Sequence, residues 1–159
     1  MSSLETKSLP FPHVCVVEAS AGSGKTYVLA KRYLELLISP RLAITEVPLK
    51  NTLAITFSNK TALEMKARIL YFLKRMALDK FSDPVQKKDL IAALGVDEAH
   101  ARQKARAILD ILVKNYNFFQ VQTIDSFING IISGCAFKLG LSSAFRIKTD
   151  YKDTLSLSL

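Results

Sequence analysis

Reactive side chains are scarce in this 159-residue chain, which has two cysteines and two histidines. Cys15 and Cys135 form no CxxC pair and lie among apolar or small residues, so a zinc ribbon or a dithiol redox centre is excluded. Two buried free thiols are expected instead. His13 and His100 have no partner at metal-ligand spacing, which leaves ordinary surface or cap positions for both. Long apolar runs are missing too. None approaches the roughly 18 residues that would cross a bilayer, and the N-terminus lacks a charged-then-apolar leader. The expectation is no membrane partner and a reducing cytoplasmic setting, at the nucleoid in a prokaryote. No internal repeat is present, which excludes a solenoid.

The composition that remains is 49% hydrophobic and 23% charged, that of a globular domain and not of a disordered tail. A chain of this length buries about 68–70% of its unfolded surface. Positive charge is in excess, with a net charge of +8. Such a balance favours a polyanionic partner such as nucleic acid, the plainer alternative being charge kept for solubility.

Residues 1–12 are polar and then bracketed by Pro10 and Pro12, a flexible lead-in. Val14 to Val17 suits a strand covered on both faces of a parallel sheet, where no alternation is needed. Val28, Leu29, Tyr33, Leu36 and Leu37 then mark the apolar face of a helix that stops before Pro40. Leu53 to Phe57 reads as a second buried strand. Ser58 to Thr61 offers helix-start residues, and Ala62, Met65, Ile69, Phe72, Leu73 and Met76 follow at steps of three and four. On or beside the other face of that helix lie Lys60, Lys66, Arg68, Lys74 and Arg75, offset by Glu64. Asp79 to Pro84 breaks the helix, and residues 85–115 carry two more helical segments around Gly95. Ala101, Ala105, Ile108, Leu109 and Leu112 form the core face of the second. Phe118 to Ile124 is a third strand, with Asp125 or Ser126 capping a helix that reaches about Phe137. Phe145 to Ile147 could be a fourth strand, and residues 149–159 promise little order. Strands alternating with helices predict an α/β fold with a parallel sheet.

Between the first strand and its helix runs Ala19-Ser20-Ala21-Gly22-Ser23-Gly24-Lys25-Thr26. Six small residues let successive backbone N–H groups converge on an anion, and the following helix adds the positive end of its dipole. Lys25 supplies charge for β/γ-phosphates and Thr26 a hydroxyl for Mg²⁺. The pattern is the relaxed form of a phosphate-binding loop, with Ala where Gly is usual at the first position. It would arise by chance in about 1% of chains this long, and its placement between a strand and a helix is the one the mechanism needs. Tyr27, next in line, is either a platform for the adenine ring or an exposed helix residue.

Three blocks carry a family resemblance that covers most of residues 13–148. Glu18 to Thr26 looks like motif I, Ile55 to Ile69 is similar to motif Ia, and Val121 to Phe127 looks like motif Ib of a UvrD/Rep-type superfamily 1 DNA helicase. The small-residue spelling of the loop resembles the RecB and AddA branch. What the resemblance implies is a P-loop NTPase fold of RecA type, a three-layer sandwich with a parallel sheet, incomplete in this chain. Residues 13–148 would be part of its ATP-binding domain. ATP and Mg²⁺ would be the cofactors, with Lys25 and Thr26 as catalytic residues, Ala19 to Tyr27 as the nucleotide cradle and Thr26 as the metal ligand. Single-stranded DNA would lie along Thr56, Phe57, Ser58, Asn59 and Lys60, and along Thr123, Ser126 and Phe127. An aromatic at a strand end stacks on any base without reading its identity. Without the resemblance Phe57 would read as a core aromatic capping its strand, and Asn59 and Lys60 as a helix cap and a solvated charge.

Two departures bear on those roles. Asp125 stands where the family's motif Ib has histidine, and a carboxylate there repels phosphate, so helix capping is the role expected of it. Residues 1–12 contain no glutamine of the kind that reads adenine in many members. Hydrolysis further needs carboxylates for Mg²⁺ and water, and an arginine for the transition state. No apolar strand here ends in Asp-Glu. Asp97-Glu98 follows Gly95 and reads as a helix cap. The expectation is therefore a fragment of a longer ATP-driven helicase or translocase, inactive alone, that partners with the rest of the motor and with a nuclease. The competing expectation is a P-loop protein that binds nucleotide or nucleic acid without turnover.

Overall fold

The longest helix, α2 (Asn59–Leu78), carries the core, and its limits follow from its ends. In the computed structural model, which describes residues 24–38, 48–136 and 138–141, Ser58 takes an extended backbone and its hydroxyl accepts from Thr61 N. That satisfies one of the N–H groups a helix start leaves open. At the other end Asp79 adopts the left-handed conformation (φ 53°), and its N–H closes on Arg75 and Met76 carbonyls. Between them Ala62, Met65, Ile69, Phe72, Leu73, Met76 and Ala77 are buried on one stripe, as the spacing predicts.

That stripe packs against α1 (Lys25–Ile38), α4 (Glu98–Lys114) and both strands. Gly95, left-handed at φ 64°, turns the chain between α3 (Pro84–Leu94) and α4, where two segments were expected. Asp83 caps α3 ahead of Pro84, whose missing N–H costs nothing in the first turn. Asp97 caps α4 through His100 N, the role predicted for the Asp97-Glu98 pair. His100 itself is more enclosed than a surface residue, its Nε2 buried without a hydrogen-bond partner among the described residues.

The sheet within the described residues has two strands, β1 (Ala54–Thr56) and β2 (Val121–Thr123), paired in parallel. The register sets Ala54 beside Val121, Ile55 beside Gln122 and Thr56 beside Thr123. A parallel pair requires a crossover, and α2, α3 and α4 supply it. The architecture is thus a mostly helical α/β arrangement around a small parallel sheet. Both strands are shorter than predicted. A 3-10 turn at Tyr116–Phe118 takes the start of the third expected strand, and Thr56 and Thr123 end their strands by entering helix caps. Strand alternation also replaces the expected two-sided burial: Ala54 and Thr56 are buried while Leu53 and Ile55 are exposed.

Three further expectations are corrected. The buried face of α1 runs through Ala30, Tyr33, Leu34, Leu37 and Ile38, leaving Val28 and Leu29 exposed. Apolar residues occupy so much of α1 that spacing alone does not set the phase of its stripe. Cys135 is exposed, because α5 (Ile124–Cys135) has no buried residue at all. The cap of α5 is Thr123 and neither Asp125 nor Ser126, since the residue that still holds extended backbone (φ −78°, ψ 158°) is the one whose side chain can reach Ser126 N. The expected strands at 14–17 and 145–147, Cys15, His13 and the loop residues Ala19, Ser20, Ala21, Gly22 and Ser23 lie outside the described residues.

Candidate functional site

The start of α1 is the first half of the site. Gly24 has φ 79°, a conformation that L side chains rarely adopt, although a Cβ there would meet nothing within 4 Å. Glycine is required by the backbone angle and not by crowding. Its carbonyl accepts from Tyr27 N at 2.8 Å and Val28 N at 3.1 Å, which closes the first turn and aims the helix start past Gly24. No acidic residue occupies that first turn, so nothing on α1 neutralises the positive dipole end. Lys25 is exposed and Thr26 half-buried at this terminus.

Tyr27, in the first turn of α1, is engaged by two other helices. Its ring meets Phe72 edge-to-face at 5.6 Å and its hydroxyl donates to Asp89 Oδ2 at 3.0 Å. Lys31 Nζ holds both oxygens of the same carboxylate at 2.8 Å. Burial, followed by the bond to Asp89, pushes the Tyr27 hydroxyl up to about 12, and the bond from Lys31 holds Asp89 below the usual carboxylate range. These contacts fasten α1 to α2 and α3, so Tyr27 is not the free, exposed helix residue of the second expectation. Sequence spacing could not reveal this clasp, because Tyr27 and Asp89 are 62 residues apart.

The second half of the site lies where both strands end. Phe57 is 94% exposed, which removes the core-aromatic reading. Burying a phenylalanine is favourable by about 1.5–3 kcal/mol, so a ring left in water at a strand end is a notable feature of this surface. Asn59 and Lys60 are exposed beside it. The hydroxyls around them are spent on architecture: Thr56, buried, donates to the Ser58 carbonyl at 3.1 Å, and Ser58 Oγ caps α2 while meeting Thr61 Oγ1 at 2.8 Å. On the neighbouring strand Thr123, also buried, accepts from Ser126 N at 3.2 Å and meets Ser126 Oγ at 2.9 Å. Because Thr56 and Thr123 are register partners, the two capping turns stand side by side, and the starts of α2 and α5 open at one edge of the sheet. Asp125 falls in the first turn of α5, where the dipole stabilises its charge. Ser126 is exposed and Phe127 half-buried.

A cleft of about 480 Å³ lies elsewhere, between the end of α2 and α3 and α4, and none of the expected site residues lines it. Its walls hold an ion-pair cluster in which Lys87 pairs with Asp79 at 2.7 Å and with Glu98, and Arg102 approaches Asp79 at 3.9 Å. The hydrogen bond from Lys87 holds the Asp79 carboxyl below its ordinary range. Among the described residues no group of three His, Cys, Asp or Glu side chains could hold a metal ion. A hard cation at the start of α1 would find the Thr26 hydroxyl there and would take further ligands from phosphate and water, as Mg²⁺ does.

Comparison with known proteins places the chain in a family. Residues 4–158 match the UvrD/REP helicase N-terminal domain. An ATP-dependent helicase/nuclease subunit of Lactobacillus johnsonii is 32% identical over 135 residues, which are 85% of this chain and 9% of that protein. Its counterpart in Lactobacillus helveticus is 33% identical over 138 residues, 87% of this chain and 9% of that protein. RecBCD enzyme subunit RecB of Buchnera aphidicola is 30% identical over 132 residues, 78% of this chain and 11% of that protein. The chain spans about a tenth of the length of the curated relatives it matches. With a family match that extends over nearly all its residues, the chain belongs to the UvrD/REP helicase N-terminal domain family.

Proposed function

We propose that this chain forms part of the ATP site and part of the single-stranded DNA surface of an ATP-driven DNA helicase or translocase of the RecB and AddA kind. The observation that carries the reading is Phe57, 94% exposed at the strand edge where two helix starts converge. An exposed ring at that edge stacks on bases of any identity, and stacking is worth about 1–3 kcal/mol per base. Ser58, Asn59, Lys60, Ser126 and Phe127 border the same strand, while Thr56 and Thr123 shape the turns from beneath. Thr56 and Thr123 act on DNA only through those turns. The exposed ring and the charge of Lys60 suit a single strand, whose bases are free to splay.

At the start of α1 the loop from Ala19 to Gly24 cradles the phosphates of ATP through backbone N–H groups. Lys25 neutralises the β/γ-phosphates and Thr26 gives Mg²⁺ its protein oxygen. Bound Mg²⁺ supplies charge neutralisation across the phosphates. Residues 13–148 make up the folded unit, as a portion of a RecA-like P-loop domain. Hydrolysis further needs carboxylates that hold Mg²⁺ and activate water and an arginine for the transition state, and the cradle itself supplies neither.

Two substitutions test the reading. Lys25→Ala abolishes Mg²⁺-dependent ATP binding in equilibrium titration; an unchanged affinity sinks the loop assignment. Phe57→Ala weakens binding of oligothymidylate by the loss of one stacked base, about 5-fold or more, with ATP affinity retained. Equal DNA affinity in the folded variant would remove Phe57 from the DNA surface.

A further inference from the structure

Ion pairing in this molecule is unevenly distributed. Every ion pair among the described residues lies within α1 or where α1, α3, α4 and the end of α2 meet, and none involves Lys60, Arg68 or Lys74 on α2. All three are exposed, Lys60 and Lys74 on the side of α2 opposite its buried stripe and Arg68 on the flank of that stripe, with Glu64 the one acid among them. Solvated helix faces commonly relieve like charge with carboxylates at i,i+4, each pair worth about 0.2–0.5 kcal/mol. Here Glu64 and Arg68 have that spacing and form no ion pair. The same face exposes Tyr71, with the Arg75 guanidinium set 5.0 Å from its ring centre and held there by a bond to the Lys80 carbonyl. A flat ring backed by a fixed cation is a platform of the kind that meets bases.

We infer that the outer face of α2 continues the path of the single strand from Phe57, gripping its phosphates with Lys60, Arg68 and Lys74. The inference rests on the DNA surface proposed above and extends it along the helix. Lys60 and Lys74 are fourteen residues apart, which is about 21 Å of helix rise. That is several nucleotides of extended strand. The occupant follows from charge: three cations without carboxylate partners among the described residues, spread along one helix, fit a chain of regularly spaced anions.

The test is fluorescence anisotropy on the whole chain across a salt series, with oligothymidylates of about five and about fifteen nucleotides, a range spanning small single-strand site sizes. Replacing both Arg68 and Lys74 by Ala is expected to weaken binding of the longer probe and to flatten its log–log salt slope by about 1.4, two contacts at about 0.7 each. Affinity for the short probe, which spans fewer of these contacts, should fall less. The exchange Arg68→Lys with Lys74→Arg keeps both charges and should restore the slope, and thermal melts of each variant separate lost folding from lost contact. An unchanged slope in the folded double variant overturns the inference. A loss confined to duplex probes overturns it as well. If the charge variants act while Phe57→Ala is silent on both probes, the Phe57 reading fails; if Phe57→Ala acts while the charge variants are silent, the α2 path alone fails.

Discussion

At the scale of single residues, the side chains that matter divide by what their polar atoms already hold. Thr56, Ser58 and Thr123 have their hydroxyls bound within the protein, whereas the residues Asn59 and Lys60, with an amide and an ammonium, are exposed. The Tyr27, Lys31 and Asp89 clasp has a definite pH signature. Asp89 is depressed by its bond from Lys31, so its contribution is in place above the unfolded value near 3.9 and is lost as pH falls through the lower folded value. Tyr27 is raised, so its part is complete below about pH 10 and is lost as pH climbs through about 12. Asp89→Asn should therefore lower stability at neutral pH by the worth of a partly exposed ion pair, about 1 kcal/mol or less, read as a lower melting temperature. The gap between variant and parent should close at acid pH, and a gap that stays constant with pH would refute the linkage. The clasp was invisible in the sequence because its partners are distant. The roles of Ser58 and Asp97 were legible because a cap and the helix it starts are adjacent.

At the scale of elements, α2 and α5 are opposites. The stripe of α2 is enclosed on several sides, while Ile124, Ile128 and Ile131 form a stripe on α5 that remains exposed. Their mutational costs should diverge accordingly. Ile69→Ala removes a fully buried side chain and should cost about 2–5 kcal/mol, against about 0.5 kcal/mol or less for Ile128→Ser. Chemical denaturation of the two variants measures this, and similar costs would show that the α5 stripe is covered in solution. Periodicity located α2 and α4 well because each has one dominant apolar face, and α3 was placed by its stops, the break before Pro84 and the turn at Gly95. It misplaced the face of α1, where too many positions are apolar, and overextended both strands. The four or five apolar residues at each strand include some that belong to the turns on either side, and only pairing partners show where the ladder stops. Phe57 illustrates the limit: the same residue at a strand end reads as core or as surface until its neighbours are known.

At the scale of the whole molecule, charge and apolar exposure pull in different directions. A net charge of +8 keeps copies apart, while Leu53, Ile55, Phe57 and the α5 stripe leave apolar surface in water. Raising salt screens the first without weakening the second. Self-association should therefore grow with ionic strength in sedimentation velocity runs, and Ile128→Lys should reduce it. Salt-independent association, or association untouched by that substitution, would place the contact elsewhere.

The parallel pairing of β1 and β2 also has a mechanical side. Phe57 follows directly on the last residue of β1, and that residue is locked in register with the last residue of β2. A force applied to Phe57 along the strand axis is borne by all the ladder's hydrogen bonds together, in shear, and not by one bond at a time as in peeling. Through Ser58 and Thr123 the same load passes straight into the first turns of α2 and α5. Traction on a base at this edge would thus be carried into two helices as stiff levers, with little slack in between.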